Sequence, residues 1–143
     1  MRKDKNSSWW WYAVVLLFES TISGEPDEKK IDDNYSTELK LYQEQIVLFR
    51  AQSHDHAFKL ADLNAKKQEM VYTNKYGQNV QKRFVDSVNC QKLFDNEIKA
   101  GTELYYRLYE EKLDVDTSTF LEKYLPETRD DSEKPLYNFL IYK

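Results

Sequence analysis

Seven residues spread over the second and last thirds of this 143-residue sequence have side chains able to bind an anion or to move a proton. Arginine grips carboxylates and phosphates through paired hydrogen bonds, and a positioned carboxylate can act as acid or base. If neighbouring strands carried these residues on one sheet face, they would form an anion-binding or catalytic site. Cross-strand ion pairs on a solvated face are the favoured interpretation, because no nucleophile and base occur at a diagnostic spacing. The residues are Arg50, Asn74, Tyr76, Arg83, Glu103, Tyr105 and Arg107.

Other candidates for chemistry are isolated. Glu19 and Glu44 would form a carboxylate pair only if the strand register brought them together. His54 and His56 are two residues apart at the start of a predicted helix, so they point in different directions and predict an exposed pair without a metal. The single Cys90 indicates a reducing compartment and a structural role. Phosphate-loop, dinucleotide, zinc and serine-elbow motifs are missing, so we predict no cofactor and no catalytic residue.

A basic stretch over residues 66–83 offers a nucleic-acid alternative. It carries five basic side chains against the single acid Glu69, a local charge of +4, with Tyr72 and Tyr76 between them. Basic groups neutralise phosphates and tyrosines stack on unpaired bases, so the stretch could hold single-stranded nucleic acid. The net charge of −4 for the whole chain argues against this interpretation.

The acidic residues are concentrated in two stretches. Residues 25–38 hold six acids and two lysines, which sum to −4, and residues 110–134 hold nine acids and four basic residues, which sum to −5. The rest of the chain is therefore +5. Solvated loops would explain this pattern, and so would acidic appendages that engage a basic partner.

The first half of the chain predicts two strands and one helix. The apolar run at residues 9–18, closed by Glu19, predicts a buried strand; a signal segment is the alternative, although the run is too short to span a membrane. Residues 39–51 predict a second strand, antiparallel to the first. Ser53 predicts the N-cap of an amphipathic helix over residues 55–67.

The second half begins with a hairpin over residues 70–88, which we predict at the centre of the sheet. Its turn contains Gly77, and the second strand alternates with Val80, Phe84 and Val88 inward and Ser87 outward. A short helical turn at residues 92–98 and a fifth strand at residues 102–109 follow. This order predicts an α+β fold: a mostly antiparallel five-stranded sheet (β-β-α-β-β-β) packed by one main helix, with a helical or extended C-terminal tail.

The predicted organisation is a flexible N-terminus at residues 1–8, one α+β domain at residues 9–109 and an acidic extension at residues 110–143. Asp116 or Thr117 predicts the cap of a short helix that ends near Pro126. The apolar run at residues 136–142 must pack on the domain, add an edge strand or contact a partner.

Four runs in this order carry a resemblance to a known family: WYAVVLLFES, YQEQIVLFRA, NKYGQNVQKRFV and GTELYYRL. With them the chain resembles, over about residues 11–109, a family of small bacterial proteins described only as a domain of unknown function. The resemblance implies a bacterial single-domain α+β protein and brings no catalytic residues. Small families of this kind often prove to be immunity proteins of toxin systems or other accessory binding proteins, which is an argument by analogy.

From these observations we predict a cytoplasmic, non-catalytic protein-interaction module, such as a toxin-neutralising immunity or accessory protein, with a protein partner and no membrane association. Acidic appendages, many tyrosines and the apolar end all suit an interface. The alternatives are a single-stranded nucleic-acid-binding protein that uses residues 66–83, and a small anion-binding enzyme that uses Arg50, Arg83 and Glu103. The sequence also leaves open whether the chain forms a homodimer.

Overall fold

The computed structural model describes residues 8–126; residues 1–7 and 127–143 lie outside the description. Four antiparallel strands of the described chain form one sheet in the order β2-β1-β4-β3. Helix α1 joins β2 to β3, a three-residue 3-10 helix lies between β1 and β2, and helix α2 follows the sheet. The bounds are β1 Trp10–Ser23, β2 Leu41–Ala51, α1 His54–Lys67, β3 Met70–Thr73, β4 Asn79–Lys92 and α2 Thr117–Tyr124.

Strand β1 is the central strand, and it pairs with β2 on one side and with β4 on the other. Its even-numbered side chains, from Tyr12 to Phe18, are buried beneath α1 on what we call the helix face. On the opposite face Ala13 and Val15 are buried as well. A strand buried on both faces reads as the continuous apolar run that identified it in the sequence. The hairpin predicted at the centre instead supplies β4 beside β1 and β3 at the edge.

Helix α1 packs on the sheet through its smallest apolar residues. Ser53 caps it as predicted, accepting a hydrogen bond at 3.0 Å from the backbone N–H of His56. Ala57, Ala61 and Ala65, each four residues after the last, are fully buried. Methyl side chains allow the helix backbone to approach the large side chains of β1 closely, and this contact closes the core.

Two β-bulges in β4 change which of its side chains face α1. In the pairing of β4 with β1, Val85 and Val88 have no partner, so each is one extra residue in β4. Phe84 lies on the helix face before the first bulge, and Ser87 lies on the helix face after it, where its hydroxyl donates to a carboxylate of α1 at 2.6 Å. The predicted alternation, with Ser87 outward and Val88 inward, is therefore wrong beyond Phe84 because each inserted residue reverses the parity.

Strands β1 and β4 both run further than predicted. Glu19 does not close β1, because its carboxylate forms an ion pair at 3.2 Å with Lys40 and stays outside the core. The helical turn predicted at residues 92–98 is not formed, because β4 continues to Lys92 along β1. The indole N–H of Trp10 then donates to the backbone carbonyl of Leu93 at 2.7 Å and fixes the chain as it leaves the strand.

The predicted fifth strand at residues 102–109 is also wrong, and the sheet of the described chain has four strands. The segment alternates in sequence but pairs with no strand. Leu104 and Leu108 remain 43% and 83% exposed, so the segment does not bury an apolar face as a strand of the sheet would. The hydroxyl of Tyr105 instead accepts a hydrogen bond from the amide of Asn89 at 3.1 Å.

Residues 8–105 form one compact unit, and residues 106–126 belong to a second. In the second unit the predicted short helix is present as α2, with Asp116 as its N-cap. Tyr109 contacts the rings of Phe120 and Tyr124 at 5.3 and 5.1 Å. The predicted apolar run at residues 136–142 lies outside the described residues, and so do residues 1–7 of the flexible N-terminus predicted at residues 1–8.

Helices α1 and α2 have 14 and 8 residues, and no helix within residues 8–126 has the length and apolar character needed to cross a bilayer.

Candidate functional site: the hairpin turn and the acidic loop

The turn between β3 and β4, residues 74–78, is organised by one asparagine. The side-chain oxygen of Asn74 accepts hydrogen bonds from the backbone N–H groups of Tyr76 at 3.0 Å and Gln78 at 2.9 Å. The backbone N–H of Gly77 donates to the carbonyl of Asn74, and Gly77 takes a φ of 81°, which glycine adopts without strain. Asn74, Tyr76 and Gln78 are all buried. We call this segment the hairpin turn.

Residues 24–39, which we call the acidic loop, are fastened to the hairpin turn at several points. The hydroxyl of Tyr76 donates to Asp32 at 2.6 Å, and the ammonium of Lys75 forms an ion pair with the same carboxylate at 2.7 Å. The backbone N–H of Asp27 donates to the carbonyl of Tyr76 at 2.7 Å. The side-chain amide of Gln78 donates to the carbonyl of Gly24 at 3.1 Å. The loop is therefore held along most of its length.

The ionisable groups at this junction support each other electrostatically. Hydrogen bonds from Lys75 and Tyr76 lower the pKa of Asp32 to about 2. Burial of the phenol, together with its hydrogen bond to Asp32, raises the pKa of Tyr76 to about 12. At neutral pH the carboxylate is ionised and the phenol is protonated, so both hydrogen bonds to Asp32 are formed.

We expect Asp32→Asn to reduce the loss of stability that the protein shows on acidification. The pKa of Asp32 is about 2 in the folded chain and near 3.8 ordinarily, so its stabilising effect is present above pH 3.8 and is lost as the pH falls towards 2. Urea denaturation at pH 7 and at successive values down to pH 2, followed by tryptophan fluorescence, measures this dependence. Asp33→Asn is the matched control, because Asp33 bonds neither Lys75 nor Tyr76. Identical pH profiles for the wild type and Asp32→Asn would contradict the assignment.

The acidic loop presents its remaining acids to solvent. All five are exposed, and none of them forms an ion pair within residues 8–126. The carboxylate of Asp27 accepts the backbone N–H of Lys29 at 3.1 Å. The other four are Glu25, Glu28, Asp33 and Glu38. Ile31 lies among them and is 46% exposed. The junction thus combines a buried anchor with an acidic outer surface that contains one apolar side chain.

The sequence-predicted site residues are only partly brought together. Asn74 and Tyr76 meet in the hairpin turn, but both are buried rather than displayed on a sheet face. Tyr105 bonds Asn89, as described above, and Glu103 is exposed on the segment before it. Arg107 belongs to the second unit, where its guanidinium lies 4.9 Å from the ring of Tyr109.

Arg50 and Arg83 do not form a joint anion site. Arg50 pairs at the level of Trp11 and lies 5.8 Å from that ring, whereas Arg83 pairs at the level of Glu19. Eight residues of β1 separate the two levels, about 26 Å at about 3.3 Å per residue. A depression of about 340 Å³ at the β3–β4 edge is lined by Arg83, but neither Arg50 nor Glu103 lines it.

Glu19 and Glu44 are diagonal neighbours rather than a facing pair. Glu19 lies opposite Tyr42, and Glu44 lies opposite Leu17. A hydrogen bond from Lys40 to Glu19 raises the pKa of Lys40 and neutralises one of the two carboxylates. The arrangement resembles a surface ion pair beside a free carboxylate.

The basic stretch at residues 66–83 is divided over several surfaces. Lys75 is occupied by Asp32, and Tyr76 is buried where no base could stack on it. Lys82 lies over the ring of Phe18 at 4.4 Å on the helix face, and burial lowers its pKa. Adjacent Arg83 points to the opposite face, so these groups do not form one continuous strip.

The two histidines and the cysteine have structural surroundings. His54 is exposed as predicted, but His56 is half-buried, with its ring 5.6 Å from that of Trp9. Its Nδ1 accepts the backbone N–H of Gln52 at 3.1 Å. Burial raises the pKa of Cys90 to about 11, so its thiol is protonated at neutral pH. Residues 8–126 contain no group of three or more histidine, cysteine or acidic side chains arranged to hold a metal.

Sequence reasoning missed Asp32 and Gln78, which fasten the acidic loop. The spacing of Asn74 and Gly77 carries a local signal, because an asparagine side chain bonds the backbone two residues later and glycine takes the left-handed position. Asp32 carries no such signal, since its partner Tyr76 is 44 residues away.

Taken together, the fold and the junction define a small α+β protein in which an Asx-type hairpin turn orders a loop. The chain belongs to the family described as domain of unknown function (DUF4288), which matches residues 11–106. The match confirms the resemblance carried by the four runs of the sequence and includes the sheet, α1, the acidic loop and the hairpin turn. Comparisons with curated proteins and with solved structures found no match.

Proposed function

We propose that this protein is a non-catalytic interaction module whose acidic loop binds a basic surface of a partner protein. The observation that carries the proposal is the attachment of the loop to the buried hairpin turn through Tyr76, Lys75 and Gln78. A loop that is already ordered loses less conformational freedom when it binds, so more of its interaction energy contributes to affinity.

The outer surface of the loop has the chemistry that such binding needs. Four exposed acids would attract a basic partner and guide its approach, and the exposed side chain of Ile31 would add apolar contact near the middle. Asp32 is already neutralised by Lys75 and serves as an anchor, and Asp27 caps the backbone N–H of Lys29, so four acids remain for the partner. The four acids are Glu25, Glu28, Asp33 and Glu38.

The partner that fits best is a protein with a basic substrate-binding cleft, such as a nucleic-acid-cleaving toxin, which the loop would occlude. In that setting the protein acts as an immunity or accessory protein in the cytoplasm, where a lone cysteine remains reduced. A rigid acidic surface inserted into such a cleft competes directly with the phosphates of the substrate.

The test compares two variants with equal changes of charge. The loop variant carries Glu25→Gln, Glu28→Gln, Asp33→Asn and Glu38→Gln. The control variant carries Asp95→Asn, Glu97→Gln, Glu103→Gln and Glu110→Gln, all at exposed positions outside the loop. In affinity purification from the native host, the wild type and the control variant should retain a basic protein that the loop variant loses. With that protein purified, Kd should rise at least tenfold for the loop variant, mainly through a slower and less salt-dependent association.

Two results would refute the proposal: equal partner binding by the loop variant and the wild type, or equal losses for the loop and control variants. The toxin setting has a separate readout. If the retained protein cleaves nucleic acid, the wild type should inhibit that cleavage, and the loop variant should not.

A further inference from the structure

The outer edge of the sheet at β2 is long, and residues 8–126 leave it unpaired. Strand β2 pairs with β1 without any register shift from Leu41 to Ala51, and no described strand pairs with its other side. Within residues 8–126 no side chain caps its backbone, and the strand contains no proline, glycine or lysine. Proteins usually blunt such an edge with a bulge, a proline or a lysine, because its free N–H and C=O groups can pair with another chain.

The other edge of the same sheet is protected by several of these devices. Strand β3 is only four residues long, and β4 carries the two bulges. Beyond β3, the backbone N–H groups of Phe84, Ser87 and Cys90 donate to side-chain oxygens of neighbouring acidic or amide residues at 2.8–3.1 Å. Within residues 8–126, therefore, the β2 edge is the one available for pairing with another chain.

The side chains of β2 are complementary to themselves when two copies are related by a two-fold axis through Val47. In that antiparallel register Glu44 lies opposite Arg50 of the second copy, and Ile46 lies opposite Leu48. All four are on the opposite face of the sheet, since they alternate along the strand. Glu44 and Arg50 are exposed and form no ion pair within residues 8–126, and Ile46 is 45% exposed.

Neighbouring registers satisfy these groups less well. An axis through Ile46 would place Glu44 against the apolar Leu48, leaving its carboxylate without a partner. Slipping one strand by a single residue is excluded, because it would turn every side chain of that strand to the wrong face. Cross-strand pairs of opposite charge and of apolar side chains are the units that stabilise an antiparallel sheet.

We propose that two copies of this chain associate through β2 in the register centred on Val47, giving one continuous eight-stranded sheet. The two-fold axis repeats the Glu44–Arg50 ion pair on both sides of a central apolar cluster. A closed two-fold interface of this kind uses the same strand in both copies and does not propagate into fibres.

A charge-swap experiment tests this register in the full chain. Sedimentation equilibrium should give a dimer for the wild type, and Glu44→Arg or Arg50→Glu alone should raise its dimer Kd at least tenfold, because each change places like charges opposite each other. The double variant Glu44→Arg/Arg50→Glu restores opposite charges and should return the Kd to within about threefold of the wild type. Lys59→Glu, at an exposed helix position, is the control and should leave the dimer unchanged.

Thermal unfolding of each variant separates a broken interface from a misfolded chain, since the substituted positions are exposed and the monomers should stay folded. A wild type that is monomeric at 100 µM would overturn the proposal. So would single reversals without effect, or a double variant that remains as dissociated as the singles. Hydrogen exchange that shows protected outer amides of β2 in a monomer would also overturn it, because the edge would then be covered by other residues of the same chain.

Discussion

Replacing Tyr76 by alanine is expected to lower the free energy of unfolding by about 3–5 kcal/mol, the range typical of deleting a large buried aromatic ring. Tyr76 has no solvent exposure, and its ring packs 5.1 Å from that of Tyr35 in the acidic loop. The change also removes the hydroxyl that donates to Asp32. Guanidinium denaturation followed by tryptophan fluorescence measures the loss. Hydrogen exchange should show faster exchange at the amide of Asp27, which bonds the carbonyl of Tyr76.

Two further variants define what the first result means. Tyr76→Phe keeps the ring and removes only the hydrogen bond to a charged group, so its cost should be about 1.5–3 kcal/mol. Tyr42→Ala makes the matched change at a tyrosine that is 59% exposed and should cost less than about 1 kcal/mol. Equal losses for Tyr76→Ala and Tyr42→Ala would show that the hairpin turn does not anchor the loop.

Phe18→Ala should also cost about 3–5 kcal/mol, because Phe18 is 1% exposed and fills the helix face of the central strand. Its ring lies 5.8 Å from that of Phe84, and the ammonium of Lys82 lies over it. Truncation leaves a cavity between β1, β4 and α1 that these rigid neighbours fill only in part. Urea denaturation of the purified variant gives the change in free energy.

The same substitution at Phe94 is the control, since that side chain is 78% exposed. Phe94→Ala should change the free energy of unfolding by less than about 0.5 kcal/mol. If Phe18→Ala changed the free energy of unfolding little and Phe94→Ala changed it strongly, the assignment of the core to the helix face would be wrong.

Local signals in the sequence were sufficient for α1, for β2 and for the existence of the hairpin. The Ser53 cap and the left-handed Gly77 each act within a few residues, so the sequence near them determines the conformation. The same signals did not show which apolar residues of α1 are buried. Leu63 is 61% exposed, whereas Ala61, two residues earlier, is fully buried. The sheet already supplies the large side chains of the core, so the helix packs on it through small residues.

Errors in the predicted fold arose where pairing with a distant strand decides the outcome. Val85 and Val88 look like ordinary alternating positions, and their bulges exist because of the register that β1 imposes on β4. Residues 102–109 have the alternation of a strand but no partner in the described chain, so composition alone predicted one strand too many. The family, by contrast, was predictable from the ordered runs themselves.

For the candidate site, Asn74 and Tyr76 were identified by type, but their surroundings were not. Aromatic and amide groups near a turn are equally suited to bind a ligand or to fasten a loop, and burial decides between these roles. The burial of the hairpin turn depends on Asp32, Gly24 and Asp27, which are remote from it in sequence and become its neighbours only in the folded chain.

The position of β1 has a consequence for the way this protein is made. Of the four described strands β1 is synthesised first and its second neighbour, β4, last, and 41 residues must be added after Ala51 to complete β4 at Lys92. At about 5–20 residues per second, the ribosome needs about 2–8 s to supply them. Throughout that interval one side of a tryptophan-rich strand has no neighbour. The nascent chain is therefore most prone to pair with other chains during this interval.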